Sequence, residues 1–248
     1  MHRRSARASS SRVPSKGSSS SSSKQPKKRA LLIGLKYGQP DMIYTYDDCT
    51  KVKDLIETHF QFLEDNIKTF LDKRTREKPN QSPILTSVRL EREIKAFVEA
   101  TNTGDISLLF ISAHGVHPEK DPTYDRIGFI GADYKVVPVE RITKAMSELN
   151  KDNKFIAVID VCWGGGFAEM YNEKITMFLA SKTMEESAGG GNGSYFTNCF
   201  ADFMEKHHML SSAELIERLK EKMRQMGCEQ TPRLLSNKDN ANLPVFTI

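Results

Sequence analysis

The chain has 248 residues, 36 of them Lys or Arg and 32 Asp or Glu, which allows one sizeable domain or two small ones. The formal charge of +4 is unevenly placed: the first 29 residues hold nine basic side chains, eleven serines and no carboxylate, so residues 30–248 carry 27 basic against 32 acidic groups, a formal −5. The basic pI therefore belongs to the opening segment, and the remainder gives no electrostatic reason to expect nucleic-acid binding.

Residues 1–28 cannot bury enough apolar surface to offset their ordering entropy and are expected to be a solvated, disordered tail, with a single domain over 29–248. No apolar run approaches the roughly 18 residues of a membrane helix, and no apolar h-region follows the first arginines, so neither a membrane nor a secretory address is expected. Four cysteines, Cys49, Cys162, Cys199 and Cys228, do not make a disulfide framework in a chain of this length. A reducing, cytoplasmic setting is expected, with the nucleus as the alternative because KQPKKR has the look of a basic import signal.

From Arg29 onward, apolar runs alternate with helical patterns. RALLIGL reads as a strand, and YDDCTKVKDLIETHFQF as a helix with Val52, Leu55, Ile56, His59 and Phe60 on one face. NIKTFLD is a short strand and REKPNQSP a loop. TSVRLEREIKAFVEAT is a helix that Thr86 or Ser87 can cap. DISLLFIS is a strand, RIGFIGA a weaker one, and PVERITKAMSELN a helix with Pro138 near its first turn. KFIAVID and KITMFLAS are strands, ESAGGGNGS a flexible linker. YFTNCFADFMEKH and SSAELIERLKEKMRQMG are helices, the second with a serine cap and Gly227 as its stop, and PRLLS is a last strand. This order predicts an α/β fold, a mostly parallel central sheet with helices on both faces. Leu108–Ile111 and Phe155–Ile159 are apolar on both sides of the pleat, as suits central strands.

In such sheets function gathers beyond the carboxyl ends of the strands. The first of these two runs ends in ISAHGVH, the second in IDVCWGGG. If the strands are neighbours, the imidazole of His114 and the thiol of Cys162 leave the same edge. A cysteine and a histidine within reach make a nucleophile and its base. Glycines beside both let backbone N–H groups approach a developing oxyanion. Each signal alone is as compatible with a small core cysteine or a structural histidine. GGGNGS is no phosphate loop, because no Gly-Lys-Ser/Thr follows. Cys199, among Phe196, Phe200 and Phe203, reads as core.

Six segments in order resemble the caspase-like cysteine peptidases, specifically the metacaspases. KKRALLIGLKY resembles the opening strand, YDDCTKVKDLI the helix beginning N-D-A-x-x-[MV]-x-x-L, LLFISAHG the Y-S-G-H-G segment, and VIDVCWGGG the D-S-C-H-S-G segment. YFTNCFADFM and EQTPRLLS resemble the late helix and strand. His114 stands 48 residues before Cys162, near the roughly 50 of caspases. The resemblance implies a caspase-like three-layer sandwich and an endopeptidase cutting after Arg or Lys in protein substrates. It puts Cys162 on the nucleophile, His114 on the base, and the N–H groups of Gly115 and Cys162 on the oxyanion hole. Asp48, Asp160 and Ser112 fall on an acidic S1 pocket, although Asp48 read by itself can equally cap the helix that starts there. Asp160 and Cys162 are two residues apart in an extended stretch and so point the same way.

The chain departs from the family at Trp163, where histidine is usual, at Gly164 in place of serine, and at Ala113 in place of glycine. Trp163 is bulky enough to close or reshape the cleft, which keeps a second reading open: a caspase-fold regulatory or interaction module. A flavodoxin-like binder fits the layer order but lacks a glycine-rich phosphate loop after the first strand. Many metacaspases hold Ca²⁺ with carboxylates; here Asp121, Asp125, Asp133 and Glu169 lack the spacing of a hard-cation loop, so no metal and no cofactor is expected.

Overall fold

The computed structural model describes residues 26–39, 42, 44–72, 85–149, 153–190 and 193–246. The expected tail, apart from its last three residues, and the REKPNQSP loop lie outside them. Lys27 already donates its backbone N–H to Asp105 Oδ1 at 2.8 Å.

The central sheet has six strands: β1 Lys28–Gly34, β2 Ile67–Leu71, β3 Ile106–Ala113, β7 Lys154–Val161, β8 Ile175–Leu179 and β11 Arg233–Leu235, in the order β11-β8-β7-β3-β1-β2. All pair in parallel except β11, which is antiparallel to β8. Helices α1 (Tyr44–Phe60), α4 (Tyr195–Lys206) and α5 (Ser212–Gln225) cover one face, α2 (Ser87–Glu99) and α3 (Val139–Met146) the other, and α6 is the short Lys238–Ala241. A three-stranded antiparallel ribbon, β4 Gly115–Val116, β5 Gly128–Ile130 and β6 Val136–Pro138, follows β3. The pair β9 Gly189–Gly190 and β10 Gly193–Ser194 precedes α4.

The pleat sorts the core. Odd-numbered Leu109, Ile111, Phe155, Ala157 and Ile159 pack under α2 and α3 with Leu90, Ile94 and Ile142. Even-numbered Leu108, Phe110, Ile156 and Val158 pack under α1, α4 and α5 with Val52, Phe200 and Leu219. Burial on both faces is why β3 and β7 read as unbroken apolar runs. The same alternation sends Ser112 and Asp160, at the carboxyl ends, toward α1 and α4.

The helix ends follow local chemistry. Thr86 caps α2 through the N–H of Arg89. Ser211 and Glu214 form a reciprocal capping box at the start of α5. Gly227, just past its end, takes φ +73°. Helix α1 begins at Tyr44, so Asp48 lies within its second turn and is not its N-cap.

Helix α1 seats on β1 at Gly34, where an added Cβ would meet the Thr45 carbonyl oxygen at 2.6 Å and Cys49 Sγ at 2.8 Å. Gly34→Ala is expected to destabilise the domain by about 1–3 kcal/mol through overpacking. Urea unfolding measures this, and an unchanged midpoint would contradict the seating.

Candidate functional site

Strands β3 and β7 are direct neighbours, in parallel register through Ser112↔Asp160 and Ala113↔Val161. The next residues after the two strands are His114 and Cys162, so the sheet delivers imidazole and thiol to one edge. The backbones then nearly touch: a Cβ on Gly115 would lie 1.9 Å from the Cys162 carbonyl oxygen. Only glycine fits there.

His114 is half-buried and held from several sides. Its backbone N–H donates to Tyr37 Oη at 3.1 Å, and its carbonyl accepts from Ile130 N at 2.9 Å. Its ring stacks on Tyr37 with centroids 5.0 Å apart, and Nε2 lies 3.4 Å from Gln39 Oε1. Tyr37 is buried and donates its own hydroxyl to Ile130 O at 2.7 Å. Burial pushes the His114 pKa below its ordinary value, which favours the neutral imidazole.

The Cys162 thiol donates to the Ser187 carbonyl at 3.6 Å. Cys162 and His114 each follow the last paired residue of neighbouring strands, but their side chains have different hydrogen-bond partners. Burial pushes the thiol pKa up, and the charges of Glu186 and Asp160 add to that rise. The resting sulfur is therefore a protonated, poorly nucleophilic thiol. The chain turns sharply after it: Trp163 sits in the left-handed region at φ 54°, and its N–H donates to Glu185 O at 2.8 Å. Residues Gly164–Met170 form a 3₁₀ stretch.

Asp48, Ser112 and Asp160 come together beneath this edge. Asp48 is wholly buried and Asp160 is 4% exposed. Ser112 Oγ donates to Asp48 Oδ2 at 2.8 Å. Ser194 bridges the carboxylates, its N–H donating to Asp48 Oδ1 at 2.8 Å and its hydroxyl to Asp160 Oδ2. Ser187 Oγ and Thr197 Oγ1 also donate to Asp160, each at 2.6 Å. Ser187 thus touches both Asp160 and Cys162, so carboxylate and thiol share one side, as their spacing predicts. Burial, and next the charge of Asp160, raise the Asp48 pKa to about 8; burial likewise raises that of Asp160. At neutral pH the pair retains a proton between its two carboxyl groups.

Several residues here escape sequence reasoning. ESAGGGNGS, expected to be a flexible linker, is pinned at both ends, by Ser187 and Ser194. Gly189 lies against the Tyr44 ring, where an added Cβ would sit 3.0 Å away, and Gly193, at φ +113°, lies against Asp48 Oδ1. Gly189 and Gly193 thus serve close approach to a ring and a carboxyl group. Burial, then the nearby Asp160, Cys162 and Asp48, keep the Tyr44 phenol neutral. Gln230, 5% exposed, accepts from Ala188 N at 2.7 Å and donates to Ala180 O at 3.1 Å, clamping the Ser187 segment.

Of the acids considered for Ca²⁺, Asp121 accepts from Thr123, Asp133 accepts from the N–H and hydroxyl of Ser87, and Asp125 lies 3.7 Å from Arg126. Among the described residues no group of three or more His, Cys, Asp or Glu is arranged to hold a metal ion. No helix among them is long and apolar enough to cross a membrane.

The model of the Caspase domain family matches residues 27–243. Metacaspase-4 of Arabidopsis thaliana is 22% identical over 176 residues, which cover 68% of this chain and 41% of that protein. The chain thus spans about two fifths of that relative's length. The crystal structure of protein GSU0716 from Geobacter sulfurreducens superimposes with a TM-score of 0.63 at 15% identity, covering 90% of this chain and 99% of that one.

The raised carboxyl pKa has a consequence for folding. Asp48 ionises near pH 4 when unfolded but keeps its proton to about 8 when folded. Its contribution to stability is complete below pH 4, is lost as pH rises to about 8, and is constant above that. Asp48→Asn, which cannot ionise, is expected to narrow the gap between urea midpoints at pH 5 and pH 8.5. An equal gap in parent and variant would refute the buried, protonated pair.

Proposed function

Because the chain belongs to the caspase-domain family, we propose that it is a cysteine endopeptidase of metacaspase type, cleaving protein substrates after Arg or Lys with Cys162 and His114. The observation that carries this reading is the pair of buried carboxyl groups on the same side as the thiol, joined to it through Ser187. Two carboxyl groups lined with hydroxyls suit a guanidinium or ammonium of matching geometry.

The resting state is self-satisfied, and that shapes the mechanism. Ser187 and Ser194 occupy the acceptor positions a substrate cation would take. An entering cation displaces these hydroxyls and favours loss of the shared proton, since a positive charge beside a carboxyl group lowers its pKa. It also offsets the negative field of Asp160 on the sulfur and frees the thiol from the Ser187 carbonyl. His114, neutral because buried, then takes the thiol proton. The thiolate adds to the scissile carbonyl carbon, and the oxyanion accepts from the N–H groups of Gly115 and Cys162. His114 returns the proton to the leaving amine, giving a thioester that water, deprotonated by the same imidazole, hydrolyses to acid and free thiol. The mechanism invokes no cofactor, and the working address is the reducing cytoplasm.

The second reading, a regulatory module on the same fold, is favoured by the closed pocket and by the separate partners of thiol and imidazole. Turnover of an Arg-P1 peptide decides between them. Cys162→Ala is expected to abolish it. Asp160→Asn is expected to lower kcat/KM at least roughly 30-fold, the effect of weakening a buried ion pair. Cleavage by Cys162→Ala at the parent rate refutes the nucleophile, and an unaffected Asp160→Asn refutes the pocket.

The thiol is pushed up, Asp48 titrates near 8 and the imidazole is pushed down. The nucleophile and the pocket both gain from deprotonation, and the base is free at lower pH. kcat/KM for an Arg-P1 peptide should therefore climb through pH 8; a maximum at pH 6 followed by a fall would contradict this account.

A further inference from the structure

A cavity of about 670 Å³ opens beside the nucleophile turn and outside the carboxyl pocket. It begins at Trp163, the residue after Cys162, and at Glu186 and Ala188, which flank Ser187. Its apolar wall is Trp163, Met184, Tyr195 and Met226. Of the eight large apolar side chains left exposed among the described residues, Met184, Tyr195 and Met226 gather here, a concentration that marks a contact surface. Trp163, left half-buried by its left-handed turn, faces this cavity with them.

The polar lining has one sign in excess. Glu185 is already committed: its carboxylate accepts from Thr231 N at 2.7 Å and meets Lys182 Nζ at 3.3 Å. Glu186 and Glu229 have no hydrogen-bond or ion-pair partner among the described residues, and Lys120 is the one cation in the lining. Glu186 is near enough to the nucleophile for its charge to act on the Cys162 thiol. An aromatic face beside unpaired carboxylates is the chemistry that receives an ammonium or guanidinium on an aliphatic stem. Continuity with the Cys162 turn limits the occupant to a peptide already in the cleft. Extended residues advance about 3.3 Å each, so a side chain within two residues of the scissile bond reaches the opening.

We propose that this cavity is a second cation subsite, in which Trp163, Glu186 and Glu229 bind a Lys or Arg side chain lying within two residues of the scissile bond of a basic peptide substrate. The proposal rests on the peptidase reading for its substrate and goes beyond it in selecting for clustered basic residues. Trp163, a departure from the family pattern, becomes a specificity residue here.

Trp163 is the only tryptophan in the chain, so its fluorescence reports on the cavity directly. The full chain carrying Cys162→Ala is titrated with blocked hexapeptides containing one Arg. Each peptide has Lys, Ala or Glu directly before that Arg, or at the first or second position after it. At one of these positions Lys is expected to bind roughly fivefold to tenfold tighter than Ala, with Glu weaker still, and to change Trp163 emission. Glu186→Gln/Glu229→Gln should bring the Lys-to-Ala ratio toward one. Equal affinity for Lys and Ala at every position, or unchanged emission at saturation, overturns the subsite.

Turnover by the unmodified chain separates this proposal from the one before it. Cleavage after Arg with no Lys preference overturns the subsite and leaves the peptidase standing. Lys-dependent binding without any turnover supports the subsite and overturns the peptidase.

Discussion

The parallel pairing of β3 with β7 is the constraint on which the site depends. Eight consecutive residue pairs, from Ile106↔Lys154 to Ala113↔Val161, lock the two strands in register. A slip of one residue would turn Ser112 or Asp160 to the opposite face, away from α1 and α4, and part His114 from Cys162. That register is enforced by core packing on both faces, where each fully buried Leu, Ile or Phe contributes about 1.5–3 kcal/mol. The polar residues at the strand ends therefore occupy positions chosen by apolar residues several places earlier.

The second constraint is electrostatic. Two carboxyl groups brought together out of water cannot both be ionised cheaply, so one proton remains and hydroxyls fill the remaining acceptor positions. Ser112 does this from the end of β3, and Ser187, Ser194 and Thr197 from the stretch that leads into α4. The cluster rests singly protonated, with one negative charge shared between its two carboxyl groups. The same carboxylate charge that would bind a cation keeps the neighbouring sulfur protonated until one arrives. In the proposed peptidase, substrate recognition and activation of the nucleophile would be one electrostatic event.

How much of this could be read from the chain depended on the range of the interaction. β3 and β7 were legible because double-sided burial writes continuous apolar runs. His114, Cys162, Asp160 and Ser112 were legible as strand-end residues, and Asp48 through the family resemblance. Thr86, Ser211 and Gly227 announced helix ends by local chemistry. The two-residue strands β4, β9 and β10 and the three-residue β6 carry too little periodicity to register. Gln230 acts on Ala188 across 42 residues and Ser194 on Asp160 across 34, and such contacts leave no pattern in either neighbourhood. The glycine-rich segment misled for a definite reason: glycine looks the same where the chain is loose and where a ring or carboxyl group leaves no room for a Cβ.

The two serines that anchor that segment have a consequence for how the cleft opens. Ser187 and Ser194 both hold Asp160, from the two ends of one short stretch of chain. The two anchors close a short loop through Asp160, so releasing either serine returns most of the closure entropy. In the proposed peptidase, a substrate cation that displaces one hydroxyl therefore loosens the stretch at once and makes the second anchor easier to release.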